Sequence, residues 1–379
     1  MKTYKLIYFF GTITSLLLVL GSCKKPDFNT EPPVGSIGTI NNYLSNNFDL
    51  SLFAAAVKKV GLADSLDKTG SAFTVWAPNN AALNKEGILN VSDFDKWKPD
   101  SLLQFVKTHI TRGKLFYNTI PQAGDNKYKN LNGDDLYLSN TYNIYFGQYF
   151  FIDGVFVQPT STLGSTAALS FGSTQLNGVV YSITSSIKIN HLSVRDFLAS
   201  RSDLSILVAG LKKFGQWDKL DGNGPYTILA PQDSAFAKYD ITADAISHMN
   251  PVAYDPVLFG SYYLTPNHLY LLDVAQYNRN TYVPFNTISP DFKVILTVNS
   301  LGSNNMSAAL VKGVTNAGIE QVFGPGNLGS TFLHEQLPPN VYTIDYNHPP
   351  YGNYVNYNCL NGVVHLLSQP MVLPSEVIK

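Results

Sequence analysis

Apolar residues recur at helical spacing in two places: Leu50, Phe53, Ala56, Val57 and Val60, and again Leu204, Leu207, Gly210, Leu211 and Phe214. Each stripe predicts a helix with one buried face. Asp49 and Asp203 stand just ahead, where an N-cap carboxylate would accept hydrogen bonds from orphan backbone N–H groups. Gly61 and Gly215 follow the last apolar position, where a helix end takes a left-handed residue. Residues 73–77 and 226–230 then read as strands, each stopped by a proline, and the residues after Pro78 and Pro231 read as helix starts. Leu102, Phe105, Val106, His109 and Ile110 form a further helical stripe. Residues 142–151 alternate as one strand, with Tyr142, Ile144, Phe146 and Gln148 on one face. Asn177-Gly178 and Asn361-Gly362 are turn signals, and the Val-Val after each reads as strand. Helices come early and strands late in each half, which predicts an α+β fold.

The two halves superimpose as sequences. Residues 39–61 fall on residues 193–215: Leu44 meets Leu198, Asp49-Leu50-Ser51 meets Asp203-Leu204-Ser205, and Lys58-Lys59 meets Lys212-Lys213. After one dropped residue FTVWAP (73–78) falls on YTILAP (226–231), and Asn177-Gly-Val-Val180 matches Asn361-Gly-Val-Val364. A period this long means a duplicated domain, not a solenoid unit. The expected domains are residues 37–190 and 191–374. The second copy holds about 30 more residues between its Ala-Pro and Asn-Gly segments. They are expected mainly in residues 277–351, whose Asn, Gly, Pro and Ser predict surface loops.

The N-terminus has a different logic. Lys2 and Lys5 precede an apolar run over residues 6–20, shorter than the roughly 20 residues a spanning helix needs. Leu20-Gly21-Ser22-Cys23 closes it. The pattern is a signal peptide over residues 1–22, and its end resembles the bacterial lipobox, in which the cysteine is acylated and becomes the new N-terminus. Cys23 is therefore the expected lipidation site, with the lipid bilayer as partner, and residues 23–36 are a Pro-bearing tether. Lys24 after that cysteine, where Asp does not stand, looks like an outer-membrane address for a Gram-negative host. Loss of Lys2 and Lys5 takes the formal charge from −1 to −3, which offers no basic field for nucleic acid. Cys359 is then the one cysteine left, so each domain needs a real hydrophobic core instead of a disulfide.

FTVWAPNNAAL (73–83) and YTILAPQDSAF (226–236), with NGVVYSIT (177–184) and NGVVHLLS (361–368), resemble the two sequence boxes of the fasciclin family. Thr108-His109 and Tyr262-Tyr263 stand where the family often has Tyr-His. The resemblance implies two tandem fasciclin-like domains, each a β-sandwich flanked by helices, used outside cells for adhesion or protein interaction. It does not carry over integrin-like binding, because the Tyr-His pair is absent as such. Thr74, Pro78, Asn177, Gly178 and His365 are expected to serve the fold.

Catalytic motifs are missing. The seven histidines form no zinc spacing, and there is neither a G-x-S-x-G nor a P-loop, so no enzyme, metal or cofactor is expected. In the stretch after Asp221 the sixth place holds Tyr226 and the twelfth Gln232, where a calcium loop needs glycine and a bidentate acid. Aromatics remain: the chain has 23 Tyr and 22 Phe. Tyrosines among asparagines suit recognition, since a ring stacks while its hydroxyl bonds directionally. The candidate ligand-binding residues are Tyr346, Tyr351, Tyr354 and Tyr357, together with Tyr145 and Tyr149. Their expected ligand is an extracellular protein; the alternative is a polysaccharide, captured for a surface uptake system.

Overall fold

A computed structural model describes residues 38–143, 147–161, 170–264, 268–270, 273, 284–287, 289–300, 303–315, 318–322, 342–344 and 357–379. Strand β1 (Phe73–Pro78) is buried along its whole length and pairs in parallel with a strand a hundred residues later. Between them come β2 (Ile110–Arg112), β3 (Asn126–Lys129), β4 (Asp135–Asn143), β5 (Gly147–Ile152), β6 (Val155–Phe156), β7 (Pro159–Ser161), β8 (Ser170–Phe171) and β9 (Ser173–Gln175). The parallel partner is β10 (Gly178–Ile183), and the sheet runs β2-β1-β10-β9. A second sheet runs β3-β4-β5-β6.

Alternation along β1 and β10 explains the layers. Phe73, Val75, Ala77 and Val180 pack against Leu44, Phe53, Val57, Leu102 and Val106 of the helices. Trp76, Val179, Tyr181 and Ile183 face the other way, against Leu136, Leu138, Phe150 and Ile152 of the second sheet. Trp76 stacks on Tyr181 with ring centroids 4.7 Å apart. The copy is thus a sheet-on-sheet sandwich with helices over one face.

The second copy repeats this sheet strand for strand. β11 (Tyr226–Pro231), β12 (Tyr263–Leu264), β18 (Tyr357–Cys359) and β19 (Gly362–Leu367) run in the order β12-β11-β19-β18. Phe73 lies opposite Gly178 and Pro78 opposite Ile183; Tyr226 lies opposite Gly362 and Pro231 opposite Leu367. The fold is therefore α+β, in two tandem copies. Residues 277–351, expected from composition to be surface loops, include strands. β13 (Pro284–Asn286), β14 (Phe292–Ser300), β15 (Ser303–Thr315), β16 (Gly318–Val322) and β17 (Tyr342–Ile344) make a five-stranded sheet. Val294, Leu296, Ala308 and Leu310 bring that sheet into the core. The apolar alternation of FKVIL (292–296) outweighs the polar residues around it.

Three local expectations need correction. Residues 142–151 are not one strand but a hairpin, with Tyr142 opposite Gln148 and Asn143 opposite Gly147. Asp49 does not cap the helix Ser51–Lys59, because it lies within the 3-10 turn Phe48–Leu50 just ahead. The Leu52 N–H instead donates to the Asn80 side chain at 3.1 Å, and the Ile206 N–H to Asp233 at 2.9 Å. Asp203 is taken up by Arg201, which donates from Nε and Nη2 at 2.9 and 2.7 Å. Finally, Gly178 and Gly362 do not sit in the turns. Gln175 pairs with Gly178, so the two-residue turn is Leu176-Asn177; likewise Cys359 pairs with Gly362 around Leu360-Asn361. Both glycines are in strands, and a Cβ on Gly178 would stand 1.8 Å from the Phe73 carbonyl oxygen. Glycine is required there by close strand approach, not by turn geometry. The helix ends are as expected: Gly61 has φ 74° and Gly215 φ 66°, each closing a left-handed cap.

Candidate functional site

The side chains that both copies share point inward. Asn177 is fully buried: its carbonyl accepts from the Ile40 N–H at 2.9 Å, and its amide donates to the Leu66 and Lys68 carbonyls at 2.7 and 3.2 Å. Asn361 does the same with the Val194 N–H and the Leu220 and Gly222 carbonyls. One amide thus satisfies the start of one helical segment and the end of another. The Thr74 hydroxyl accepts from the Leu115 N–H at 2.9 Å, and the Thr227 hydroxyl from the Leu269 N–H at 2.9 Å.

At two further positions the copies exchange residue types. In the first copy His109 Nε2 accepts from the Ile187 N–H at 2.9 Å, so Nδ1 carries the proton and donates to the Phe105 carbonyl. In the second copy Tyr262 takes that place, its hydroxyl accepting from the Met371 N–H at 3.3 Å. Conversely Tyr181 donates to the Leu115 carbonyl at 2.7 Å, and His365 Nε2 donates to the Leu269 carbonyl at 2.8 Å. Each copy therefore has one histidine and one tyrosine for the same two cross-links, in opposite places. Burial pulls both His109 and His365 down to about 4, so both rings are neutral near pH 7. These are not general bases in a cleft. Cys359 is also buried, and burial pushes its thiol up to about 12, far from a nucleophile's range.

Among the candidate tyrosines, Tyr346, Tyr351, Tyr354 and Tyr145 lie outside the described residues. Tyr149 lies in β5, and Tyr357 opens β18. The Tyr357 ring is half-buried against Phe197, 4.8 Å between centroids, and its hydroxyl accepts from Arg201 at 3.3 Å. Among the described residues no group of three or more His, Cys, Asp and Glu could hold a metal ion.

One cluster went unrecognised in the sequence. Asp153-Gly154 turns β5 into β6, with both residues at positive φ (47° and 73°). A turn of this type belongs at a surface, yet Asp153 is 5% exposed. Residues of the second copy cover it: Tyr270 donates its hydroxyl to Asp153 at 3.2 Å, and the Asn358 amide bonds to it. Beside them His268 Nδ1 meets Asp125 of the first copy at 2.9 Å, and the His268 ring lies 4.0 Å from that of Tyr137. Asp273 accepts from the Tyr270 N–H at 3.0 Å and from Ser139 of the first copy. The Asp-Gly pair is a turn signal that the sequence carries and the reading above passed over. Its burial did not show, because it depends on contacts over a hundred residues distant.

Residues 48–188 match the family model of the fasciclin domain. A solved FAS1 domain pair from the insect cell adhesion molecule fasciclin I aligns with 86% of this chain and 97% of its own, at 16% identity and a TM-score of 0.34. No curated protein matches the chain.

Proposed function

Because residues 48–188 belong to the fasciclin domain family and the sheet after residue 193 repeats theirs in register, we propose that the chain is a surface-anchored binding protein. Fasciclin domains are associated with cell adhesion, and the role proposed is adhesion or extracellular protein interaction, without catalysis. One observation carries the reading: the polar side chains both copies share, Asn177, Thr74 and their partners, are spent on the fold's own backbone groups. Such a scaffold leaves recognition to its surface, where the copies differ. The anchor is Cys23, whose acylated thiol is required for removal of residues 1–22, with the membrane as partner and residues 23–36 as tether. A glycan ligand, met through Tyr346, Tyr351, Tyr354 and Tyr357, is the second outcome the binding measurement below resolves.

The anchor is tested by metabolic labelling with a fatty-acid probe. Wild-type protein should take up label, while Cys23→Ala should take up none and accumulate as precursor. Label retained in the variant would remove the lipoprotein assignment.

A further inference from the structure

We propose, on the reading of the chain as a binding protein, that the first copy carries a docking groove for a tryptophan side chain presented by a partner protein. A cavity of about 590 Å³ opens along the helices Ile40–Asn46 and Ser51–Lys59 and the turn after them. Its walls include Asn41, Ser45, Ala54, Ala55, Lys58 and Ala63. That volume falls within the range of about 300–1,000 Å³ usual for ligand pockets. The second copy shows what fits there. Residues 193–215 align with 39–61, and Leu220 with Leu66, without a gap, so Trp217 stands where the first copy has Ala63. Trp217 is 7% exposed and joins the second copy's core. Arg195 Cζ lies 5.3 Å and Lys212 Nζ 5.1 Å from the Trp217 ring centroid. Those two residues align with Asn41 and Lys58, which line the cavity of the first copy. The second copy's own indole thus takes the site that the first copy holds open.

The backbone around the two positions is held alike, so the difference is one of side chains. The Gly61 N–H donates to the Lys58 carbonyl at 3.1 Å, and the Gly215 N–H to that of Lys212 at 3.2 Å. The Leu62 N–H donates to the Val57 carbonyl at 3.1 Å, and the Gln216 N–H to that of Leu211 at 2.8 Å. Ala63 then opens the helix Ala63–Asp67, as Trp217 opens the 3-10 helix Trp217–Asp221. One side-chain link is repeated as well: Asn41 donates to Asp67 at 2.7 Å, and Arg195 donates to the aligned Asp221. A side chain at residue 63 therefore starts from the same place as that of Trp217, and alanine is too short to fill the groove.

The chemistry selects the occupant. Alanine walls offer apolar surface on which a flat ring can lie, and seating the ring there takes a large apolar area out of water. Lys58 on the rim adds the attraction of a cation for the ring face, as Lys212 does for Trp217. An aliphatic side chain gains the burial and lacks the second contribution. Indole has the strongest ring face of the aromatic side chains, and it is the group the second copy already places there. A duplicated domain that fills this groove in one copy and holds it open in the other has one copy closed upon itself and one ready for a partner.

The test uses the chain from residue 24 to residue 379 with carbon-13 alanine methyl groups, titrated with N-acetyl-tryptophanamide. The Ala54, Ala55 and Ala63 methyls should shift to saturation with a Kd on the order of 1 mM. Ala209, aligned with Ala55 in the copy that Trp217 fills, should stay in place. N-acetyl-leucinamide should bind at least about threefold more weakly. Ala63→Trp, which gives the first copy the second copy's occupant, should abolish the shifts at Ala54 and Ala55. Should that variant not fold, Lys58→Ala at an exposed position should weaken the tryptophan probe about two- to fivefold. Absence of shifts, equal affinity for the two amides, or full affinity in either variant would overturn the groove. Shifts that depend on dilution without any probe would make a second copy, through its exposed Phe48, the occupant, and would overturn the partner. Among immobilised extracellular proteins, capture should be lost in Ala63→Trp. Capture that survives the variant overturns the groove and leaves the binding reading standing.

Discussion

Asn177→Asp should destabilise the first copy by about 3–5 kcal/mol, seen as a lower denaturant midpoint at unchanged slope. The substitution keeps size and shape but turns a donor into an acceptor. The Leu66 and Lys68 carbonyls lose their partner and meet a second oxygen; the Asn177 side chain and its Leu66 contact are fully buried, the Lys68 contact partly so. Each buried group left unsatisfied costs about 1–3 kcal/mol, and a carboxylate there must also take up a proton to survive. Asn361→Asp should cost less, about 1–3 kcal/mol, because Asn361 is half-buried and its Gly222 contact is exposed. Equal, small losses at both sites would mean that water replaces the amide without penalty.

Gly178→Ala should be comparably severe, about 3–4 kcal/mol, at the limit of what one methyl group can do. The added carbon would stand 1.8 Å from the Phe73 carbonyl oxygen and 2.7 Å from Ile40 Cδ1, and the nearer atom is backbone in the middle of the sheet. The strands β1 and β10 must part at their first rung or the chain must shift. Gly362→Ala meets the Tyr226 carbonyl at 2.4 Å and should be milder. Gly61→Ala is the control: its φ is 74° but nothing lies within 4 Å, so it should cost about 1 kcal/mol. Thermal or denaturant melts rank the three, and a Gly61 loss matching that of Gly178 would show that conformation, not crowding, governs both.

What could be read from the chain beforehand was whatever repeats and whatever has a period. The stripe Leu50, Phe53, Ala56, Val57 gave the helix Ser51–Lys59, and the offset between FTVWAP and YTILAP gave the duplication. The N-cap at Asp49 was misplaced because the real cap, Asn80, approaches from a segment 28 residues later. No local pattern encodes that. Asn-Gly was read as turn chemistry because the dipeptide usually is; the register shows the asparagine in the turn and the glycine already in the strand. The cross-links of His109 with Ile187 and Tyr181 with Leu115 were hidden by the exchange of residue types between copies. His109 matched a tyrosine and Tyr181 a histidine, so alignment by identity passes over both. The Asp153 cluster escaped for a related reason: its members come from five separate stretches of chain, between Asp125 and Asn358.

The most direct measurement is of binding itself. Soluble chain from residue 24 to residue 379 would be titrated on an array of immobilised extracellular proteins and surface glycans, with hydrolase substrates assayed in parallel. A binding protein should saturate one class of ligand and turn over nothing. Protein ligands would support adhesion; selective sugar binding, lost when Tyr346, Tyr351 and Tyr354 become alanine, would move the role to glycan capture. Turnover that survives repurification, without saturable binding to either class, would contradict a non-catalytic binding scaffold.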